Sequence, residues 1–79
     1  MKRSREEISA WLVARVAQMS SMDASRIETS ELLQTYGISS VRLIEMSGEL
    51  EDWLGATVDP MVFMEHPTID GLASHLASH

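Results

Sequence analysis

The chain has 79 residues, no cysteine and a formal net charge of −6. That length makes one small domain close to the lower limit for a single core without staples, and leaves little room for an enclosed substrate cavity, which argues against an autonomous enzyme. Residues 1–20 carry Lys2, Arg3, Arg5 and Arg15 against Glu6 and Glu7, whereas residues 21–79 carry Arg26 and Arg42 against ten acids; an acidic body of this kind repels nucleic-acid phosphate and favours basic protein partners.

The N-terminus is basic but runs into Glu6-Glu7 instead of an apolar stretch, so it does not read as a signal peptide. No apolar run approaches membrane-spanning length. The expectation is a soluble, cytoplasmic protein. Ser4-Arg5-Glu6-Glu7 has the form of a capping box and predicts a first helix over about 5–19. Ile8, Leu12 and Met19 form its apolar stripe, flanked by Trp11 and Val16. Arg15 falls inside that stripe, so its stem should pack while its guanidinium reaches water or an acid. Trp11 and the methionines read as core.

Residues 20–39 are rich in Ser, Thr, Asp and Glu, with apolar anchors at Met22, Ile27, Leu32, Leu33, Tyr36 and Ile38. Such a pattern predicts a long structured loop, and one of this length calls for a function or a short turn of helix, which residues 30–34 could supply. Gly37 suits a backbone conformation that costs a residue with a Cβ.

A second helix is expected over 40–54, closed by Gly55 as its C′ residue. Placed at 100° per residue, Leu43, Met46, Leu50, Trp53 and Leu54 make a core face. Val41, Ile44 and Gly48 form a second strip beside Ser40, with Glu45, Glu49, Glu51 and Asp52 alongside and behind. A helix with one side to bury has no use for that strip, which points to docking. Mid-helix Gly48 costs about 1 kcal/mol relative to alanine. Close approach of another chain would account for it, and so would tight packing within the molecule. Asp59-Pro60 starts a short helix over 60–65 cut by Pro67. Thr68 then caps a last helix over 69–77 in which Ile69, Leu72, Ala73 and Leu76 share a face. The predicted fold is all-α: a small four-helix bundle, three main helices plus one short, with a long loop between helices 1 and 2.

Gly37-Ile38-Ser39-Ser40-Val41 resembles the Gly-x-Asp-Ser-Leu signature of acyl carrier proteins. Leu50-Glu51-Asp52-Trp53-Leu54-Gly55 extends the likeness, and His66-Pro67-Thr68-Ile69-Asp70-Gly71-Leu72-Ala73-Ser74-His75-Leu76 is similar to the last helix of polyketide-synthase carrier domains. Ser39 stands where the family usually has Asp, and Val41 where it has Leu or Met. The resemblance spans nearly the whole chain and implies one carrier domain over 1–79. It implies a 4′-phosphopantetheine arm from coenzyme A on Ser40, with Ser39 the weaker candidate. Acyl intermediates would be held as thioesters and moved between enzymes of polyketide or related fatty-acid-like biosynthesis. The chain itself would be non-catalytic and monomeric. Its partners would be a phosphopantetheinyl transferase, a ketosynthase, an acyltransferase and other synthase enzymes, with neither nucleic acid nor membrane among them. Docking falls to Val41, Arg42, Ile44, Glu45, Gly48, Glu51 and Asp52. Arg42 either discriminates among partners or makes a local salt bridge. At a helix N-terminus, backbone N–H groups and the macrodipole favour the phosphodiester anion.

Two other readings share these residues. A peptidyl or aryl carrier of a non-ribosomal peptide synthetase has the same fold and arm but more often shows Gly-Gly-x-Ser. A helical interaction module without a prosthetic group would use Ser40 only as a cap. A metal site is not expected, since His75 and His79 share a helical spacing but His66 is distant in sequence and no His-Glu-x-x-His pattern occurs.

Overall fold

The computed structural model describes residues 3–77. Four α-helices run in the order α1 (Arg5–Ser20), α2 (Ser40–Leu54), α3 (Met61–Glu65) and α4 (Ile69–Ala77). Two 3-10 turns, Ala24–Arg26 and Leu33–Tyr36, lie in the long connection between α1 and α2. The turn expected at 30–34 is therefore displaced toward Gly37, and a second one precedes it. Among the described residues the only extended pairing is an isolated bridge between Leu32 and Thr68. The fold is all-α.

Helix α1 starts where the capping box places it. The Ser4 hydroxyl accepts from Glu7 N–H at 3.1 Å, and the Glu7 carboxylate accepts from Ser4 N–H at 3.0 Å, which satisfies two of the orphan donors of a helix start. Its buried face is Ile8, Leu12, Val16 and Ala17. Met19, expected in that stripe, is only partly buried, the buried arc running through Val16 and Ala17 instead. Arg15 is half-buried and reaches across to α2, where both Glu49 carboxylate oxygens accept from its guanidinium at 2.7 and 2.6 Å. Trp11 is half-buried and stacks on Trp53 near the end of α2, with ring centroids 5.6 Å apart, and the Arg3 guanidinium lies over the Trp53 ring at 4.5 Å.

The core joins α1 to Met46 and Leu50 of α2, Phe63 of α3, and Ile69, Leu72 and Ala73 of α4. The long connection adds Ile27, Leu33 and Ile38, each buried. Burial of these three anchors is what holds a polar loop against the bundle. Its backbone is pinned as well: Leu33 N–H donates to the Pro67 carbonyl at 2.9 Å, and Asp70 N–H to that of Thr29 at 3.0 Å. Tyr36 closes the loop on itself, its hydroxyl accepting from Glu28 N–H at 2.7 Å. Thr68 caps α4 by accepting from Gly71 N–H at 3.0 Å. At the start of α3 the Asp59 carboxylate accepts from Met61 N–H at 2.9 Å, and the helix proper begins after Pro60.

Helix α1 ends with Ser21 in the left-handed region at φ 57°, its successor Met22 donating back to Ala17 O at 3.0 Å. Glycine usually occupies this place because a Cβ is disfavoured there. Ser21→Gly is expected to stabilise the protein by about 0.5–1 kcal/mol, read as a higher urea midpoint with unchanged slope.

The hydrogen bonds from Ser4 hold the Glu7 carboxyl below the ordinary glutamate range, the backbone N–H contributing most and nearby Arg3 assisting. A carboxylate depressed in the folded state contributes stability that is complete above its unfolded pKa and disappears as pH falls through its folded one. Acid titration of thermal stability should therefore be shallower for Glu7→Gln than for the wild type across that window.

Candidate functional site

The approach to α2 is set residue by residue. Gly37 closes the Leu33–Tyr36 turn at φ 74°, a left-handed conformation that glycine adopts without a Cβ penalty, and its N–H donates to Gln34 O at 3.0 Å. Ile38 next turns into the core. Ser39 is extended, at φ −79° and ψ 168°, and is the true N-cap: its hydroxyl accepts from Arg42 N–H at 3.3 Å, and its carbonyl from Leu43 N–H at 2.9 Å. Ser40 is the first helical residue, so the alternative of Ser40 as the cap is replaced by its neighbour. The Ser40 side chain is exposed and its Oγ makes no hydrogen bond among the described residues.

The backbone N–H groups of Ser40 and Val41 also lack acceptors among the described residues, and the first turn of α2 contains no acid. An anion joined to Ser40 Oγ would meet open donors and the positive end of the helix dipole. Beside it runs a groove of about 280 Å³ between the long loop, α2 and α3, whose walls include Leu33, Ile38, Leu43, Ile44, Phe63 and Met64, with Ser40 on its edge. These residues suit a phosphate-linked arm with an apolar end.

The docking residues expected on α2 separate into groups. Val41 and Ile44 are exposed, at 65% and 58%, and Gly48 is exposed too. A Cβ built at Gly48 would meet nothing within 4 Å, which excludes tight packing within the described molecule as the reason for this glycine. Arg42 and Glu45 are exposed and pair loosely at 3.9 Å, a contact of small energetic weight. Asp52 is exposed. Glu51, expected with them, is half-buried, and its carboxylate accepts from Val58 N–H at 2.9 Å, bracing the loop from α2 to α3.

Met61 and Met64 correct the core reading of the methionines. They are 56% and 69% exposed, whereas Met46 is fully buried and Met19 and Met22 partly so. In a helix of five residues, Val62 and Phe63 take the inward side and positions three apart share the outward one. That spacing, read against Phe63 at 100° per residue, was the available signal for a second apolar wall on α3.

His66 and His75, far apart in sequence, are brought together with ring centroids 4.6 Å apart. His79 lies outside the described residues. Among the described residues no three His, Cys, Asp or Glu side chains form a group that could hold a metal.

Residues 10–76 match the protein-family model described as the phosphopantetheine attachment site. The chain belongs to that family, the carrier proteins whose prosthetic group is 4′-phosphopantetheine. The domain is similar to a phenolphthiocerol/phthiocerol polyketide synthase of Mycobacterium tuberculosis, at 35% identity over 72 residues that cover 91% of this chain and 4% of that protein. The chain thus spans a small fraction of the synthase it matches. Among solved structures, an acyl carrier protein from Anabaena sp. PCC 7120 with a variant phosphopantetheinylation-site sequence is 33% identical, with a TM-score of 0.88 over 95% of this chain and 85% of that one. A free-standing peptidyl carrier protein from an Acinetobacter baumannii secondary metabolic pathway is 28% identical, with a TM-score of 0.88 over 95% and 94%. This is a carrier domain similar to those of polyketide synthases, a non-catalytic domain type. No helix among its described residues is long and apolar enough to cross a membrane.

The two acids at the end of α2 are distinguishable by their partners. At neutral pH, Glu51→Ala should cost the carrier domain about 1–2 kcal/mol in chemical denaturation by leaving Val58 N–H without its acceptor, and Asp52→Ala should stay within about 0.5 kcal/mol of the wild type.

Proposed function

We propose that residues 1–79 act as a single acyl carrier domain whose arm is attached at Ser40. The observation that carries this reading is the division between adjacent serines, in which Ser39 caps α2 and leaves the Ser40 Oγ exposed beside the groove. A hydroxyl committed to capping would have to give up a hydrogen bond to react, whereas Ser40 gives up none.

The arm supplies a terminal thiol that holds acyl cargo as a thioester. The chain's own residues do the placing. The start of α2 orients Ser40 Oγ outward, the open N–H groups of Ser40 and Val41 favour the phosphodiester anion, and the groove offers an apolar surface away from water. A separate phosphopantetheinyl transferase bound to Mg²⁺ and coenzyme A would supply the base. Val41, Ile44, Gly48, Arg42, Glu45 and Asp52 face outward for docking, and half-buried Glu51 lies at the edge of that surface, where it braces the loop from α2 to α3. Resemblance to polyketide synthases supports a ketosynthase, an acyltransferase and related enzymes as partners, and polyketide or related fatty-acid-like biosynthesis as the pathway. We place the domain in the cytoplasm as a monomer that is itself no enzyme and binds neither nucleic acid nor membrane. Likeness to the Acinetobacter peptidyl carrier favours one second reading, carriage of an aminoacyl or peptidyl group on the same serine.

Incubation with coenzyme A, Mg²⁺ and a broad-specificity transferase should add one phosphopantetheine to the wild type and to Ser39→Ala, and none to Ser40→Ala, as read by intact mass. Labelling lost in Ser39→Ala but kept in Ser40→Ala would move the site by one residue.

A further inference from the structure

Two thioethers stand at the mouth of the groove beside Ser40. Met64 and Met61 are 69% and 56% exposed, and both line the groove, as does Ser40. Every other described methionine is sheltered: Met46 is fully buried, and Met19 and Met22 are packed against the core. With no cysteine in the chain, the apo protein has no thiol to compete for a mild two-electron oxidant. Thioether oxidation follows exposure, and it turns a flexible apolar side chain into a polar, chiral one.

From this distribution we infer that Met61 and Met64 form a reversible oxidation site that switches the α3 wall of the groove from apolar to polar. The inference rests on the carrier reading of the groove beside Ser40. Hydrogen peroxide is the oxidant, one molecule per sulfur: its O–O bond breaks, one oxygen goes to the sulfur, which gives up two electrons, and the other oxygen leaves as water. Oxidised, the wall that shares the groove with Ile44 presents two sulfoxide oxygens. A partner burying that wall must then leave those oxygens unpaired or desolvate them at a cost. Methionine sulfoxide reductases, supplied with a dithiol that is oxidised to its disulfide, return both sulfurs to the thioether and release the oxygen of each as water.

The test treats the apo chain with dilute hydrogen peroxide, maps the added oxygens by peptide mass, and compares the wild type with the Met61→Leu, Met64→Leu double variant, which stays apolar but cannot be oxidised there. Mapping reads Met1 separately. Oxygen should enter Met61 and Met64 ahead of Met19, Met22 and Met46, with helical content unchanged. The transferase rate on oxidised wild type should fall roughly five-fold or more, recover with reductase, and stay constant in the double variant. Binding of an anilinonaphthalene sulfonate dye to the groove should weaken in parallel.

Oxidation spread evenly over the methionines, or an oxidised face that takes transferase and dye unchanged, overturns the inference. If the unoxidised chain accepts no arm, the carrier reading fails on its own, and the dye titration decides the switch: binding lost on oxidation and restored by reductase upholds it, and unchanged binding sinks it.

Discussion

The site depends on one seam, where the long connection is sewn to the junction of α3 and α4. Leu33 N–H reaches Pro67 O, Asp70 N–H reaches Thr29 O, and the bridge between Leu32 and Thr68 lies between them. Backbone bonds of this kind contribute modestly one by one, but they fix the path of a segment that has no long helix or strand of its own. Because the seam holds Leu33, the turn through Tyr36 has a fixed end, and Gly37 can swing the chain back so that Ile38 enters the core and Ser39 meets α2. The same seam holds Pro67, which lines the groove and follows α3. Serine placement and groove shape are therefore not independent features.

Within that frame, adjacent serines have different physical tasks. The N-cap needs an extended backbone and a short side chain able to fold back on the helix, and Ser39 meets both needs. The next position needs neither. Its side chain projects from the first helical turn with no internal partner, which suits a residue whose bond is made to something outside the chain. Substituting a serine for the family's usual Asp keeps the capping oxygen while taking a negative charge away from the start of the helix. The arrangement retains local geometry and changes local electrostatics.

Much of this was legible in the sequence because local rules and the fold agree. The capping box at Ser4 and Glu7, Gly55 as the closing residue of α2 and Thr68 as the cap of α4 are short-range patterns, and the structure realises each of them. Arg15 reaching an acid followed from its place in an apolar stripe, but the identity of that acid as Glu49 depended on how two helices pack. Features set by tertiary placement were hidden. Glu51 looked like its acidic neighbours until the loop brought Val58 N–H to it. His66 and His75 met only because the turn into α4 lays His66 back along that helix, at a place where Gly71 leaves room for the His66 side chain. Met61 and Met64 were hidden for another reason: hydrophobicity alone suggests burial, although five residues of helix cannot bury all their apolar side chains on one side.

The aromatic cluster of Trp11, Trp53 and Arg3 lies toward the C-terminal end of α2, whereas Ser40 and the groove mark its beginning. At 1.5 Å per residue the thirteen positions from Ser40 to Trp53 span roughly 20 Å. Both tryptophans of the chain therefore sit at the end of the helix away from the exposed serine. As built-in optical probes they report on how α1 and α2 hold together and are nearly blind to local events in the groove. A change in their emission when cargo is loaded would signify a rearrangement transmitted along α2, and a constant emission would mean that the scaffold stays rigid while its burden changes.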